Sequence, residues 1–149
     1  MIGDSKTKPM EILLVEDGLT DARITIYALR RSQVYHRLTL VRTVGEAIQF
    51  LNRDGIFTRA PKPDLLLLDM MLPDGSGLDV LESLEEWPVT NRPTTVVLTA
   101  SHDVSLRNRC NELHVHDFMH KPVDEHEFMR VVRDHKKLMI HSTPMLATV

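Results

Sequence analysis

Short apolar runs recur along the chain as Ile12-Leu13-Leu14-Val15, Leu65-Leu66-Leu67-Leu68, Val96-Val97-Leu98 and the shorter Phe118-Met119-His120, with stretches of helical apolar spacing between them. A short continuous apolar run fits a strand buried on both faces, and apolar residues returning every turn fit a helix lying on a sheet. With a weaker strand at 38–41, the pattern predicts strands at 11–15, 38–41, 64–68, 94–98 and 117–120, alternating with helices. The first helix, about 20–32, carries Ala22, Ile26 and Leu29 on one face. The second runs to Asn52 and buries Val44, Ala47, Ile48 and Leu51, behind Thr43-Val44-Gly45-Glu46, which has the spacing of a capping box. Pro73-Asp74-Gly75-Ser76-Gly77 is turn chemistry before a third helix ending near Trp87-Pro88. A fourth helix at 104–113 aligns Leu106, Cys110 and Leu113, which makes Cys110 a buried core thiol. Asp124 caps a last helix that extends through Leu138, Met139 and Ile140. Strand–helix alternation of this kind implies an α/β domain with a parallel sheet covered on both faces. It spans 10–141, between a flexible segment 1–9 and a tail 142–149.

Composition narrows the class. At 149 residues, 42% hydrophobic and 26% charged, the chain suits one globular domain. A net charge of −3 with no gathered basic cluster argues against direct nucleic-acid binding. One cysteine excludes an internal disulfide, and residues 1–6 lack the apolar core of a secretory signal. The longest apolar stretch, 65–72, is interrupted by Asp69 and is too short to span a membrane. A soluble cytoplasmic protein is expected.

Polar residues follow the apolar runs in a regular way. Glu16 and Asp17 follow the first, Asp69 the third, Thr99 the fourth and Lys121 the fifth. In a parallel sheet the carboxyl ends of the strands share one edge, and ligands bind beyond it. The intervals between these residues are whole βα repeats of roughly 30 residues, which places all of them in one pocket. Three carboxylates so close repel one another unless a cation intervenes, and a hard divalent ion such as Mg²⁺ suits oxygen ligands. Asp69 would then be a nucleophile toward a phosphoryl group, with Lys121 spreading the charge of the oxygens and Thr99 hydrogen-bonding one of them.

These residues, in the contexts Val15-Glu16-Asp17, Leu67-Leu68-Asp69-Met70-Met71-Leu72-Pro73, Gly77, Leu98-Thr99-Ala100 and Phe118-Met119-His120-Lys121-Pro122, resemble the response-regulator receiver domains of two-component signalling over about 10–140. The resemblance implies a doubly wound, flavodoxin-like five-stranded sheet in strand order 2-1-3-4-5. It also implies that Asp69 is the phosphoacceptor, that Glu16, Asp17 and Asp69 hold Mg²⁺ with the backbone carbonyl of Met71, and that Thr99 and Lys121 sense the phosphoryl group. Phe118 matches the aromatic switch position but has no hydroxyl, so only ring packing can report the change. Lys121-Pro122 matches a dipeptide that is cis in the family. The implied partner is a histidine kinase or phosphotransfer protein. Beyond its own phosphorylation and dephosphorylation the chain would not be an enzyme. With only 141–149 after the last helix, signal would leave by protein contact, and Leu138, Met139 and Ile140 offer a surface for a homodimer.

Departures from the family pattern are local. Leu113-His114-Val115-His116 stands where many receivers have Gly-Ala, so the turn there is expected to differ. Gly18 and Ser101 occupy variable positions that tune access of water and phosphodonor. The connection 52–63 is longer than the roughly 2–6 residues usual, and similar segments occur in stand-alone receivers paired with phytochrome-like kinases, which points to a light-sensing partner. Bland alternatives exist for single residues: Glu16 and Asp17 as caps, Phe118 as a static core ring, and His114 and His116 as surface histidines instead of a metal pair. Two alternative classes are a phosphorylation-independent interaction module and a haloacid-dehalogenase-like phosphatase. The phosphatase expects a second Asp two residues after the nucleophile, where Met71 stands here.

Overall fold

Every predicted strand forms, and the three central ones are almost wholly buried because each has a neighbour on both sides in the sheet. The computed structural model describes residues 8–100 and 102–141. The expectations for the first seven residues, for Ser101 and for the tail 142–149 lie outside the described residues. In chain order the elements are β1 (Met10–Val15), α1 (Leu19–Arg31), β2 (His36–Val41), α2 (Val44–Asn52), β3 (Leu65–Asp69), β4 (Met71–Leu72), β5 (Gly75–Ser76), α3 (Gly77–Leu84), β6 (Thr94–Thr99), α4 (Val104–Glu112), β7 (Asp117–His120), α5 (Glu125–Asp134) and α6 (Lys136–Met139). The main sheet is parallel throughout, in the order β2-β1-β3-β6-β7. Counting only its own strands, that is the expected order 2-1-3-4-5.

Alternate residues of each strand feed two cores, as the period of two along a strand requires. Ile12, Leu14, Leu65, Leu67, Val96, Leu98 and Met119 pack with Ala22 and Leu29 of α1 and with Phe128, Val131 and Val132 of α5. On the opposite face Leu13, Val15, Leu66, Leu68 and Val97 pack with Ala47 and Leu51 of α2, Val80, Leu81 and Leu84 of α3, and Cys110 of α4. Cys110 is a buried free thiol, as its helical spacing predicts. Among the described residues no helix is long and apolar enough to cross a membrane.

Local signals explain the helix starts. Thr43 Oγ1 accepts from the Glu46 amide (3.0 Å), while the Glu46 carboxylate accepts from the Arg42 amide (2.9 Å), one residue before the partner a capping box expects. Thr43→Ala is expected to destabilise the domain by about 1 kcal/mol, read as a lower urea midpoint at unchanged slope. Asp124 caps α5 through the Glu127 amide at 2.8 Å.

Several boundaries differ from the sequence reading. β2 begins at His36, and β3 runs one residue later than expected, so Asp69 is its last strand residue. α3 stops at Leu84, where the Trp87 amide turns back to the Leu84 carbonyl (3.0 Å) ahead of Pro88. A short hairpin, unforeseen, pairs Met71 with Ser76 and Leu72 with Gly75. At its tip Asp74 accepts from the Val44 and Gly45 amides (2.8 and 3.0 Å), docking the hairpin on the N-terminus of α2, and these bonds hold the Asp74 carboxyl below its ordinary pKa. The last helix is not continuous. His135 adopts an extended backbone and its Nε2 lies 2.9 Å from Asp117 Oδ2, which ends α5 and turns α6 so that Leu138 enters the core. The apolar surface proposed for a homodimer is thereby reduced to Met139 and Ile140.

The turn after α4 contains a left-handed residue, His114 at φ 65°. His114 and His116 are both exposed, as surface histidines would be, and His116 Nδ1 accepts from the Thr95 amide (3.0 Å). Lys121-Pro122 is cis. At the edge where β1 begins, buried His141 hydrogen-bonds through Nδ1 to the Lys8 carbonyl at 2.8 Å.

Candidate functional site

The carboxyl ends of β1, β3 and β6 and the residue after β7 open into a cleft of about 600 Å³, whose lining includes Glu16, Asp17, Asp21, Asp69, Thr99 and Lys121. The register brings them there: Val15 pairs with Leu68, Asp69 with Leu98 and Thr99 with His120. The Glu16 amide continues the ladder to the Val41 carbonyl at 3.0 Å, and the Lys121 amide bonds to the Thr99 carbonyl at 2.9 Å. All five sequence-predicted pocket side chains therefore meet in one place.

Lys121 is the hub. Its Nζ lies 2.7 Å from Glu16 Oε1, 3.2 Å from Asp69 Oδ2 and 3.2 Å from Asp21 Oδ2. Burial alone would lower the pKa of this ammonium, but the adjacent carboxylates of Glu16 and Asp69 outweigh it and hold it above the ordinary lysine value. Glu16 is almost fully buried. Burial, reinforced by Asp69, pushes its carboxyl above the ordinary value against the pull of Lys121. Its Oε2 accepts from the Gly18 amide (3.1 Å), whereas Oε1 touches Lys121 without completing an aligned hydrogen bond.

Asp69 is held from both sides, since Oδ1 accepts from the Met71 amide at 3.3 Å while Oδ2 faces Lys121. Behind it, a Cβ added at Gly77 would lie 2.7 Å from the Asp69 carbonyl oxygen and 2.4 Å from Met70 Cε. Asp17 is set apart from the lysine. It leans toward solvent, with the Arg42 guanidinium donating to its carbonyl (2.9 Å) and lying 3.4 Å from Oδ1. Phe118 is partly buried on the α4 side of the sheet, with the Arg107 guanidinium 4.1 Å above its ring centroid.

Two contributors escaped sequence reasoning. Asp21 stands one helical turn beyond Asp17 at the start of α1, and that spacing was the available signal. Arg42 follows β2 and carried no comparable signal.

The donor set suits a hard divalent cation. Glu16, Asp17 and Asp69 supply carboxylate oxygens, Glu16 Oε1 is a buried oxygen without a completed hydrogen bond, and the site gathers more negative than positive charge. The side chains do not yet form a closed ligand set, and no group of three acidic, imidazole or thiol side chains among the described residues is arranged to hold a metal. Lys121 stands between Glu16 and Asp69, and Asp17 rests on Arg42.

Known proteins are similar to this chain in sequence and in fold. A family model described as the response regulator receiver domain matches residues 12–133. Response regulator Rcp1 of Synechocystis sp. is 33% identical over 132 residues, covering 89% of this chain and 90% of that protein. A Mn²⁺-bound form of Rcp1 superposes with a TM-score of 0.73 at 32% identity, over 91% of this chain and 97% of the other. The bacteriophytochrome response regulator RtBRR gives 0.76 at 33% identity, over 85% of this chain and 78% of that one. The phosphorylated cyanobacterial phytochrome response regulator RcpA gives 0.73 at 32%, over 85% and 91%.

Proposed function

This chain belongs to the response regulator receiver domain family, and on that premise we propose that it accepts a phosphoryl group onto Asp69 from a histidine kinase or phosphotransfer protein. The observation that carries the proposal is the meeting of Glu16 and Asp69 on the Lys121 ammonium, at 2.7 and 3.2 Å, in the cleft that also holds Thr99. A carboxylate oxygen of Asp69 bonds to phosphorus as the bond to the donor's imidazole nitrogen breaks. The nitrogen keeps the electron pair. The Met71 amide holds the other oxygen of Asp69 and so fixes the direction of attack. Lys121 stabilises one oxygen of the arriving group and the Thr99 hydroxyl donates to another. Mg²⁺ is the proposed ion, held by Glu16, Asp17, Asp69 and the Met71 carbonyl, and when bound it neutralises charge that one lysine cannot balance.

The expected output is altered contact with a partner protein, reported through Thr99 and the packing of the Phe118 ring. A phytochrome-like kinase is the proposed donor, supported by the phytochrome-associated proteins that the chain resembles along most of its length. The proposal places the protein in the cytoplasm and gives it no chemistry beyond its own phosphorylation and dephosphorylation.

The decisive test is incubation with acetyl phosphate and Mg²⁺ followed by intact mass measurement, with an EDTA control. A gain of one phosphoryl group that EDTA prevents is expected. Steady release of phosphate from an added ester would instead indicate a phosphatase, and neither result would indicate an interaction module that works without phosphorylation.

A further inference from the structure

We propose that Asp21 is a positioning residue for phosphoryl acceptance, the partner that Lys121 gives up when a phosphoryl oxygen arrives. The inference rests on the receiver reading above and assigns a role to a side chain outside the expected pocket set. The ammonium of Lys121 has three protons to donate, and three carboxylates surround it at 2.7 Å (Glu16), 3.2 Å (Asp69) and 3.2 Å (Asp21). Of the three, the contact with Asp21 has hydrogen-bond geometry while Glu16 Oε1 is left without a completed bond, so an oxygen arriving on Asp69 draws the ammonium from Asp21.

Burial decides which one goes. The Glu16 side chain is 2% exposed and that of Asp69 12%, whereas Asp21 is 48% exposed. Glu16 is the deepest of the three, and leaving it without either Lys121 or the proposed cation would strand a buried carboxylate, the costly way to break an ion pair. Withdrawing it from Asp69 is unnecessary, because the new oxygen is carried by Asp69 itself. Asp21 is rehydrated as soon as the lysine leaves, so its contact is the weakest of the three. Asp21 also belongs to the first turn of α1, the other side chains to strand ends or the residues just beyond them, so the exchange moves the ammonium away from the helix and toward β3. In the resting protein Asp21 thus keeps Lys121 aimed, and competes with the incoming group for it.

Beryllofluoride with Mg²⁺, which mimics the phosphoryl group without covalent transfer, tests this by calorimetry on the full chain. Asp21→Asn is expected to tighten beryllofluoride about two- to fivefold, the range of an exposed ion pair, and Asp21→Glu to restore the parent affinity. In a Lys121→Gln background, admitted only if it melts cooperatively, Asp21→Asn is expected to change nothing, because no ammonium remains to compete for. Equal tightening in both backgrounds would reduce Asp21 to a repelling charge and overturn the exchange. So would unchanged or weaker binding by Asp21→Asn in the parent. These outcomes leave the receiver reading standing. A parent protein that binds Mg²⁺ but not beryllofluoride overturns that reading, and the exchange with it.

Discussion

Asp69→Asn is expected to abolish phosphoryl acceptance, leaving no mass gain after incubation with acetyl phosphate and Mg²⁺. The amide has the shape of the carboxylate but no anionic oxygen to attack phosphorus. Its oxygen can still accept from the Met71 amide, which lies 3.3 Å from Oδ1 in the parent, so the end of β3 keeps its local bond. The charge contact to Lys121 is lost, but Lys121 retains Glu16 and Asp21, and the fold should change in stability by no more than about 1 kcal/mol. Loss of chemistry with retention of the urea transition therefore separates an acceptor from a structural acid. A mass gain that persists in Asp69→Asn would assign the acceptor to another carboxylate of the cleft and defeat the mechanism.

Gly77→Ala is expected to show the largest loss of stability, about 2–3 kcal/mol, together with slower phosphoryl acceptance. The position is demanding because of space, since its φ is not in the left-handed region. A Cβ there meets Met70 Cε at 2.4 Å, the Asp69 carbonyl oxygen at 2.7 Å and Met70 Cα at 3.1 Å. The Met70 methyl group can swing aside, but the two backbone atoms cannot yield unless the end of β3 moves. The Gly77 amide also donates to the Met70 carbonyl at 2.9 Å, so α3 begins directly against the backbone that presents the acceptor. Denaturant melts combined with acetyl phosphate kinetics check both effects. A change below about 0.5 kcal/mol would mean that β3 accommodates the methyl group and that the close approach carries no constraint.

The sheet was legible because β1, β3 and β6 each contain a short continuous apolar run of the kind found in strands buried on both faces, and because the polar residues after them recur at whole βα repeats. The hairpin of β4 and β5 was not. Strands of two residues have no periodicity to detect, and its anchor is a tertiary bond from Asp74 to α2. The break between α5 and α6 was hidden for a similar reason. Local propensity runs straight through His135, and what ends the helix is the pull of Asp117, eighteen residues earlier. Glu16, Asp17, Asp69, Thr99 and Lys121 could be placed from the chain because strand ends are readable positions. Asp21 was passed over despite its spacing from Asp17, since an acid in the first turn of a helix is ordinarily explained by the helix dipole alone.

The bond from His141 to the Lys8 carbonyl has a practical side. It fastens together two points 133 residues apart in sequence, beside the start of β1, while the acid cleft opens beyond that strand's other end. A strand of six residues puts about 20 Å between them. A dye, a resin linker or a fused reporter joined before Lys8 or after His141 is thus leashed to the far rim of the molecule. Immobilised by either route, the protein can present Asp69 outward, toward whatever is flowed across it.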